Sequence, residues 1–348
     1  MTLPKVMRGV VLTGHGGPDM LDIREDLAVP TPGATDVVVR VRAAGVNNTD
    51  INTRVAWYSK GDGDDADATW SGTPLAFPRI QGADVCGEIA AIGSQVDPSR
   101  LGERVVVEPC LRFANGVRQQ PAWYLGSECD GGFAQYVRMD ARHAHAVTVD
   151  LTDEELASFP CSYSTAENML TRANLRAGET VLITGASGGV GSAAVQLARA
   201  RGAEVIAITS PAKAEALATL GVTKTLHRDA DFVAALGRNS VDVVVDLVAG
   251  PNWPPLLNVL RPGGRYAVSG AIAGPIVELD VRTLYLKDLS FFGCTVLAPE
   301  VFGALIGAIE RAEIKPLVAE VFPLAQIEAA QEAFTRKDYT GKIVLTVD

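Results

Sequence analysis

The sequence predicts an α/β fold: a doubly wound parallel sheet flanked by helices, inserted into a second, β-rich domain. Three observations carry that expectation. Residues 179–210 read strand, glycine turn, helix, strand. From about residue 153 the chain alternates helix with strand, whereas before it short apolar strands follow one another between Gly, Pro and Asp turns. The length of 348 residues also exceeds the usual size of a single core.

In chain order, residues 7–12, 37–41, 87–92, 104–107 and 133–137 are the strands expected of the β-rich part. Strands at 181–183, 205–208, 223–226, 241–246, 264–268 and 289–296 give the six of a doubly wound sheet. The tail carries an amphipathic helix at 301–311, a helical segment at 324–334 and a last strand at 342–347. The domains are therefore placed at 1–152 and 299–348, forming one discontinuous β-rich body, with 153–298 between them.

The glycine run carries the first functional signal. After the apolar run at 181–183 come Gly185, Gly188, Gly189, Val190 and Gly191, and then a helix with Val190, Ala194, Leu197 and Ala198 on one face. A pyrophosphate reaches the backbone only where no Cβ intervenes, and the helix N-terminus offers N–H donors and a partial positive charge. This is a dinucleotide site. The second strand of such a unit ends in an acid when it binds the NAD ribose. Here it ends Thr209-Ser210-Pro211-Ala212-Lys213. Ser210 and Lys213 suit a 2′-phosphate, Arg228 is a second cation for it, and NADP(H) is the expected cofactor.

Composition narrows the partners. With 31 Lys and Arg against 41 Asp and Glu, the net charge of −10 disfavours nucleic acid or an anionic membrane. No apolar stretch approaches the roughly 20 residues that span a bilayer, and the N-terminus carries a strand rather than a secretion signal. Five widely spaced cysteines suit reduced thiols in the cytoplasm. No internal repeat or low-complexity segment is evident.

Several motifs together resemble the medium-chain dehydrogenase/reductase superfamily, in its zinc-independent quinone oxidoreductase-like branch. They are AAGVNNTD (43–50), FPRIQGADVCGEIAAIG (77–93), GERVVV (102–107), DGGFAQYV (130–137), the glycine run, RPGGRYAVSGA (261–271) and GKIVL (341–345). The resemblance implies a GroES-like β-rich catalytic domain plus a Rossmann domain, an active site in the cleft between them, and hydride transfer with a nicotinamide. It adds Thr165, Ala271 and Lys342 to the expected cofactor contacts. It also implies a homodimer joined through the strand at 289–296, an apolar edge that needs cover. The alternative is a monomer whose helix at 301–311 covers that edge.

Alcohol dehydrogenases of this superfamily hold zinc through a Cys, the His-Glu of a GHE triplet and a later Cys. Those places here are Asn47, Gly82-Ala83-Asp84 and Cys161, and the structural-zinc lobe keeps only Cys110 and Cys129. None of the four histidines lies in a ligand motif. The expected metal is none. Without a Lewis acid, a substrate with a built-in electron sink is expected: a quinone or another α,β-unsaturated carbonyl. Asn47 and Asp50 are the expected catalytic residues, the first as amide donor, the second as orienter of its loop or as a turn acid. Trp57, Tyr58 and Cys161 are expected in the substrate pocket, with Trp70 and the acidic run 61–67 beside them; Glu128, Cys129 and Asp130 are further candidates. Two other readings stay open: a zinc enzyme using Asp84, Cys161 and Asp50, and a nucleotide-binding protein without turnover.

Overall fold

β-Branched runs bounded by turn residues build the first part of the chain. The computed structural model describes residues 3–59 and 74–348, so the acidic run 61–67 and Trp70 lie outside the described residues. The elements are β1 (Val6–Leu12), β2 (Leu21–Ala28), β3 (Asp36–Gly45), α1 (Asn48–Arg54), β4 (Arg79–Ile80), β5 (Asp84–Ile92), β6 (Arg104–Val107), β7 (Cys110–Ala114), β8 (Val117–Tyr124), β9 (Tyr136–Asp140), β10 (Ala144–Ala146) and α2 (Asp153–Ala157). In β3, Val37, Val38, Val39 and Val41 are all buried, which marks a strand covered on both faces. The strand expected at 133–137 begins instead at Tyr136. Phe133 leaves the ladder because its N–H donates to Gln81 O at 2.9 Å and its carbonyl accepts from Val10 N at 2.8 Å.

The nucleotide unit follows with α3 (Pro160–Arg172), β11 (Thr180–Ile183), α4 (Gly189–Ala200), β12 (Glu204–Thr209), α5 (Pro211–Ala218), β13 (Lys224–His227), α6 (Phe232–Leu236), β14 (Val241–Asp246), α7 (Trp253–Val259), β15 (Leu260–Val268), α8 (Val281–Leu286), β16 (Ser290–Gly293) and α9 (Val301–Glu310). Its six strands run in the order β13-β12-β11-β14-β15-β16, all parallel. This is the doubly wound order, with its switch point between β11 and β14. One face buries Leu182, Val244, Leu256, Trp253 and Tyr266 in a common core. At roughly 1.5–3 kcal/mol per large side chain, such burial is the main force holding helices to the sheet.

The last elements are β17 (Val318–Pro323), α10 (Ile327–Arg336) and β18 (Lys342–Thr346). Packing groups Met1–Cys161, Pro316–Lys337 and Lys342–Asp348 as one unit, and Ser162–Lys315 with Asp338–Gly341 as the other. The divisions thus fall later than the expected 152/153 and 298/299. Residues 296–315 stay with the nucleotide unit because α3 holds them: Asn168 bonds Val296 O and Ala298 N at 3.3 Å each, and the Tyr163 hydroxyl donates to Lys315 O at 2.8 Å. In the β-rich unit, among the described residues, the main sheet is seven-stranded, in the order β10-β6-β5-β3-β18-β17 with β9 added on β3.

Candidate active site

Three neighbouring strands bring the candidate residues of the β-rich unit together by register. Gly45 at the end of β3 stands opposite Asp84 of β5 on one side and Val344 of β18 on the other. Asp84 opens β5, Lys342 opens β18, and Asn47 follows β3 as the residue capping α1. The Lys342 ammonium lies 2.6 Å from Asn47 Oδ1 and 2.6 Å from Asp84 Oδ2. An ammonium only donates, so this contact fixes which end of the Asn47 amide is oxygen. Asn47 Nδ2 then donates to Asp84 Oδ2 at 2.9 Å and to Gly45 O at 3.3 Å. Both amide hydrogens therefore have partners inside the protein. Gly45 must be glycine, since a Cβ there would stand 2.6 Å from Asp84 Oδ2 and 2.8 Å from Ala157 O.

The cluster continues on two sides. Asp84 Oδ1 accepts from Cys161 N at 2.6 Å, and the Cys161 thiol lies 2.9 Å from the Tyr124 hydroxyl at the end of β8. Asp50 Oδ2 accepts from Asn47 N at 2.7 Å, and Gln81 Nε2 donates to Asp50 O at 2.8 Å. Burial drives the Asp50 carboxyl up to about 7; the Asn47 N–H opposes, the Asp84 charge adds, and Lys342 opposes. Burial and then the Asp84 charge push the Cys161 thiol up to about 12, so it stays protonated at neutral pH. Burial likewise keeps Tyr124 well above its ordinary range. Tyr58 is half-buried with side-chain hydrogen bonds to Thr49 and Asn52, within electrostatic reach of Cys161 and Asp50. Trp57 meets Tyr58 edge-on at 5.4 Å but is 43 % exposed, so the structure brings only the tyrosine to the cluster.

These residues do not fit a zinc ion. A tetrahedral site needs thiolates, imidazoles or free carboxylate oxygens. Asn47 presents an amide oxygen already bonded to an ammonium. Ala83 presents a methyl group and Asp84 has both oxygens engaged, which leaves one thiol, Cys161, where four ligands are needed. Among the described residues, no group of three or more His, Cys, Asp or Glu is arranged to hold a metal.

In the nucleotide unit the glycine turn has the geometry a pyrophosphate requires. Gly185 adopts φ +57°, and a Cβ on Gly191 would stand 2.2 Å from Gly185 O. Gly188 caps α4 in extended conformation, so Gly189 and Val190 form its first turn. Below the turn, buried Asp246 at the end of β14 accepts from Thr184 Oγ1 at 2.6 Å and from the Val248 and Ala249 N–H groups at 2.9 and 3.1 Å. That carboxylate pins the switch point from beneath. Ser210 caps α5 with no side-chain bond to that helix. Lys213 is half-buried: burial lowers its pKa, Asp338 raises it and Arg228 lowers it, so these three charges share one locality. Thr165 on α3 and Ala271 after β15 are both half-buried.

Tyr124 and Gln81 carried no signal in the sequence. Tyr124 lies on a hairpin, β7–β8, that was not among the expected strands, although Asn115-Gly116 at its tip, both with positive φ (52° and 74°), is a hairpin signature. Lys342 was expected at the cofactor; the structure buries its ammonium in the β-rich unit.

Two family models match the chain: an alcohol dehydrogenase GroES-like domain over residues 33–149 and a zinc-binding dehydrogenase over residues 189–311. The second stretch contains none of Asn47, Asp84 and Cys161. A crystal structure of a putative alcohol dehydrogenase from Sinorhizobium meliloti is 44 % identical, with a TM-score of 0.89 over 99 % of this chain and 98 % of that one. Human quinone oxidoreductase is 28 % identical over 98 % of each chain. The acryloyl-coenzyme A reductase of Metallosphaera sedula is 29 % identical over 98 % of this chain and all of its own length, 100 %. The chain belongs to the medium-chain dehydrogenase/reductase superfamily, quinone oxidoreductase-like, and is an oxidoreductase with a GroES-like and a Rossmann-like domain that uses a nicotinamide cofactor.

Proposed function

We propose that the protein is an NADPH-dependent reductase of quinones and other α,β-unsaturated carbonyls that works without a metal. The carrying observation is the donor set: Asn47, Ala83, an Asp84 paired to Lys342 and a single thiol, Cys161, offer no Lewis-acid site. A conjugated carbonyl needs none, because hydride arriving at carbon sends the charge to its own oxygen. Bound NADPH supplies that hydride. The chain's own residues hold the substrate and meet the charge, with the neutral hydroxyls of Tyr58 and Tyr124 beside Cys161 as donors. Asn47 positions the loop, since both its amide hydrogens have partners. The names of the quinone oxidoreductase and acryloyl-coenzyme A reductase relatives favour the same substrate chemistry.

The preference for the phosphorylated cofactor rests on Lys213 beside Arg228 after β12, where no acid ends the strand. Thr165, Ser210 and Ala271 complete the contacts proposed for it. Five free thiols favour a reducing compartment, the cytoplasm. No helix among the described residues is long and apolar enough to cross a membrane. A second copy is the proposed partner, along the edge strand β16.

The test is NADPH and NADH oxidation against a panel of quinones, enones and simple ketones, with chelator, for the wild type and Lys213→Ala. Expected are turnover of the conjugated substrates only, insensitivity to chelator, and a selective loss of NADPH affinity of about tenfold in the variant. Chelator-sensitive oxidation of simple alcohols would replace this reading with a zinc alcohol dehydrogenase.

A further inference from the structure

We infer that Lys342 is the resident cation of the β-rich unit: its ammonium neutralises the buried Asp84 carboxylate, positions Asn47 and Asp84, and takes the place where a divalent cation would otherwise bind. Lys342 is 3 % exposed and Asp84 fully buried. Its two contacts are each 2.6 Å long and reach segments 295 and 258 residues away in the chain. An unpaired charge at that depth is costly, so each partner depends on the other.

The charges of the pair cancel without any ion from solution. Asp84 Oδ2 is shared by Lys342 and Asn47, and Oδ1 is held by the Cys161 amide, so an entering dication would find no open carboxylate oxygen. It would also meet the ammonium already seated between Asp84 Oδ2 and Asn47 Oδ1. Removing that ammonium reverses the balance. Asn47 Oδ1 would then be uncovered and Asp84 Oδ2 left with the Asn47 amide but no cation, in a cluster that also contains the Asp50 carboxyl and the Cys161 sulfur. Oxygen-rich sets of this kind take divalent cations.

Lys342's assignment rests on the metal-free reading, yet the two can fail separately. Wild type, Lys342→Met and Asp84→Asn/Lys342→Met would be titrated with Co²⁺, followed by visible absorption and thermal unfolding, after metal analysis of each as purified. The wild type and the double variant should ignore Co²⁺. Lys342→Met should bind it at least about tenfold more tightly than the double variant and be stabilised by it, because only there does a buried carboxylate lack its cation. If Lys342→Met is recovered unfolded, refolding with and without Co²⁺ asks the same question: rescue supports the assignment and no rescue overturns it. A Lys342→Met protein as indifferent as the double variant would overturn the role of Lys342 alone. Stoichiometric zinc in the wild type would defeat the metal-free reading as well.

Discussion

Burial makes Asp50 a late-titrating acid, and that has a measurable consequence. Its carboxyl sits at about 7 in the folded protein, against about 3.9 in an unfolded chain. Between those values the folded state holds a proton that the unfolded state has released. The contribution is therefore complete below about pH 4 and lost as pH rises through about 7, a slope worth on the order of a few kcal/mol. Asp50→Asn should flatten the fall in melting temperature from pH 5 to pH 8, measured by calorimetry; an unchanged slope would place the titration elsewhere. At this scale the sequence was legible where a motif fixes a residue's place, as with Asn47, Asp50 and Cys161. It was opaque for Tyr124, whose approach to Cys161 at 2.9 Å depends on a 37-residue separation closed only in three dimensions. For Lys342 the signal was visible, a lone cation opening an apolar strand, but its partner was not. The register β5-β3-β18 decides it, and no local pattern states a register.

Among the elements, the β11–α4 turn is tightly constrained at one glycine and open at another. At Gly191 a Cβ would press on the Gly185 carbonyl at 2.2 Å and Ala186 Cα at 2.6 Å, backbone atoms that cannot rotate away. At Gly188 the nearest atom would be 3.5 Å off, an ordinary contact. Gly191→Ala should thus cost about 1–3 kcal/mol of stability and weaken NADPH and NADH alike, while Gly188→Ala should leave the melting temperature nearly unchanged. Thermal denaturation with cofactor titration separates the two; equal effects would mean the turn relaxes freely. The strand–turn–helix periodicity made this element readable from sequence. β2 was not readable, because its run Asp22–Asp26 is charged and exposed, as an edge strand allows.

At the scale of the molecule, assembly and folding order follow from where elements lie. The strand β16 ends the order of the six-stranded sheet, and the segment before it carries exposed apolar residues: Ile276 is 88 % exposed, Leu286 70 % and Tyr285 60 %. Pairing β16 with a second copy would close that edge. Light scattering at micromolar concentration should give a dimer, and Phe291→Pro, which cannot donate to a ladder, should weaken it; a monomeric wild type would end the idea. The alternation of strands and helices made the doubly wound unit legible as a whole. The return of the chain into the first sheet was expected in outline, whereas the attachment of 299–315 to the nucleotide unit was not, since it depends on side chains of α3. That return also gives protein synthesis a particular order. Nearly all of the nucleotide unit has been made once Lys315 emerges, yet β3 still lacks β18 as its neighbour. Until β18 has been made, Asp84 lacks the Lys342 ammonium and Asn47 Oδ1 lacks its donor. The cluster beside Asn47 therefore joins segments that lie on either side of Ser162–Lys315 in the chain, so its assembly waits on the strand that follows the nucleotide unit.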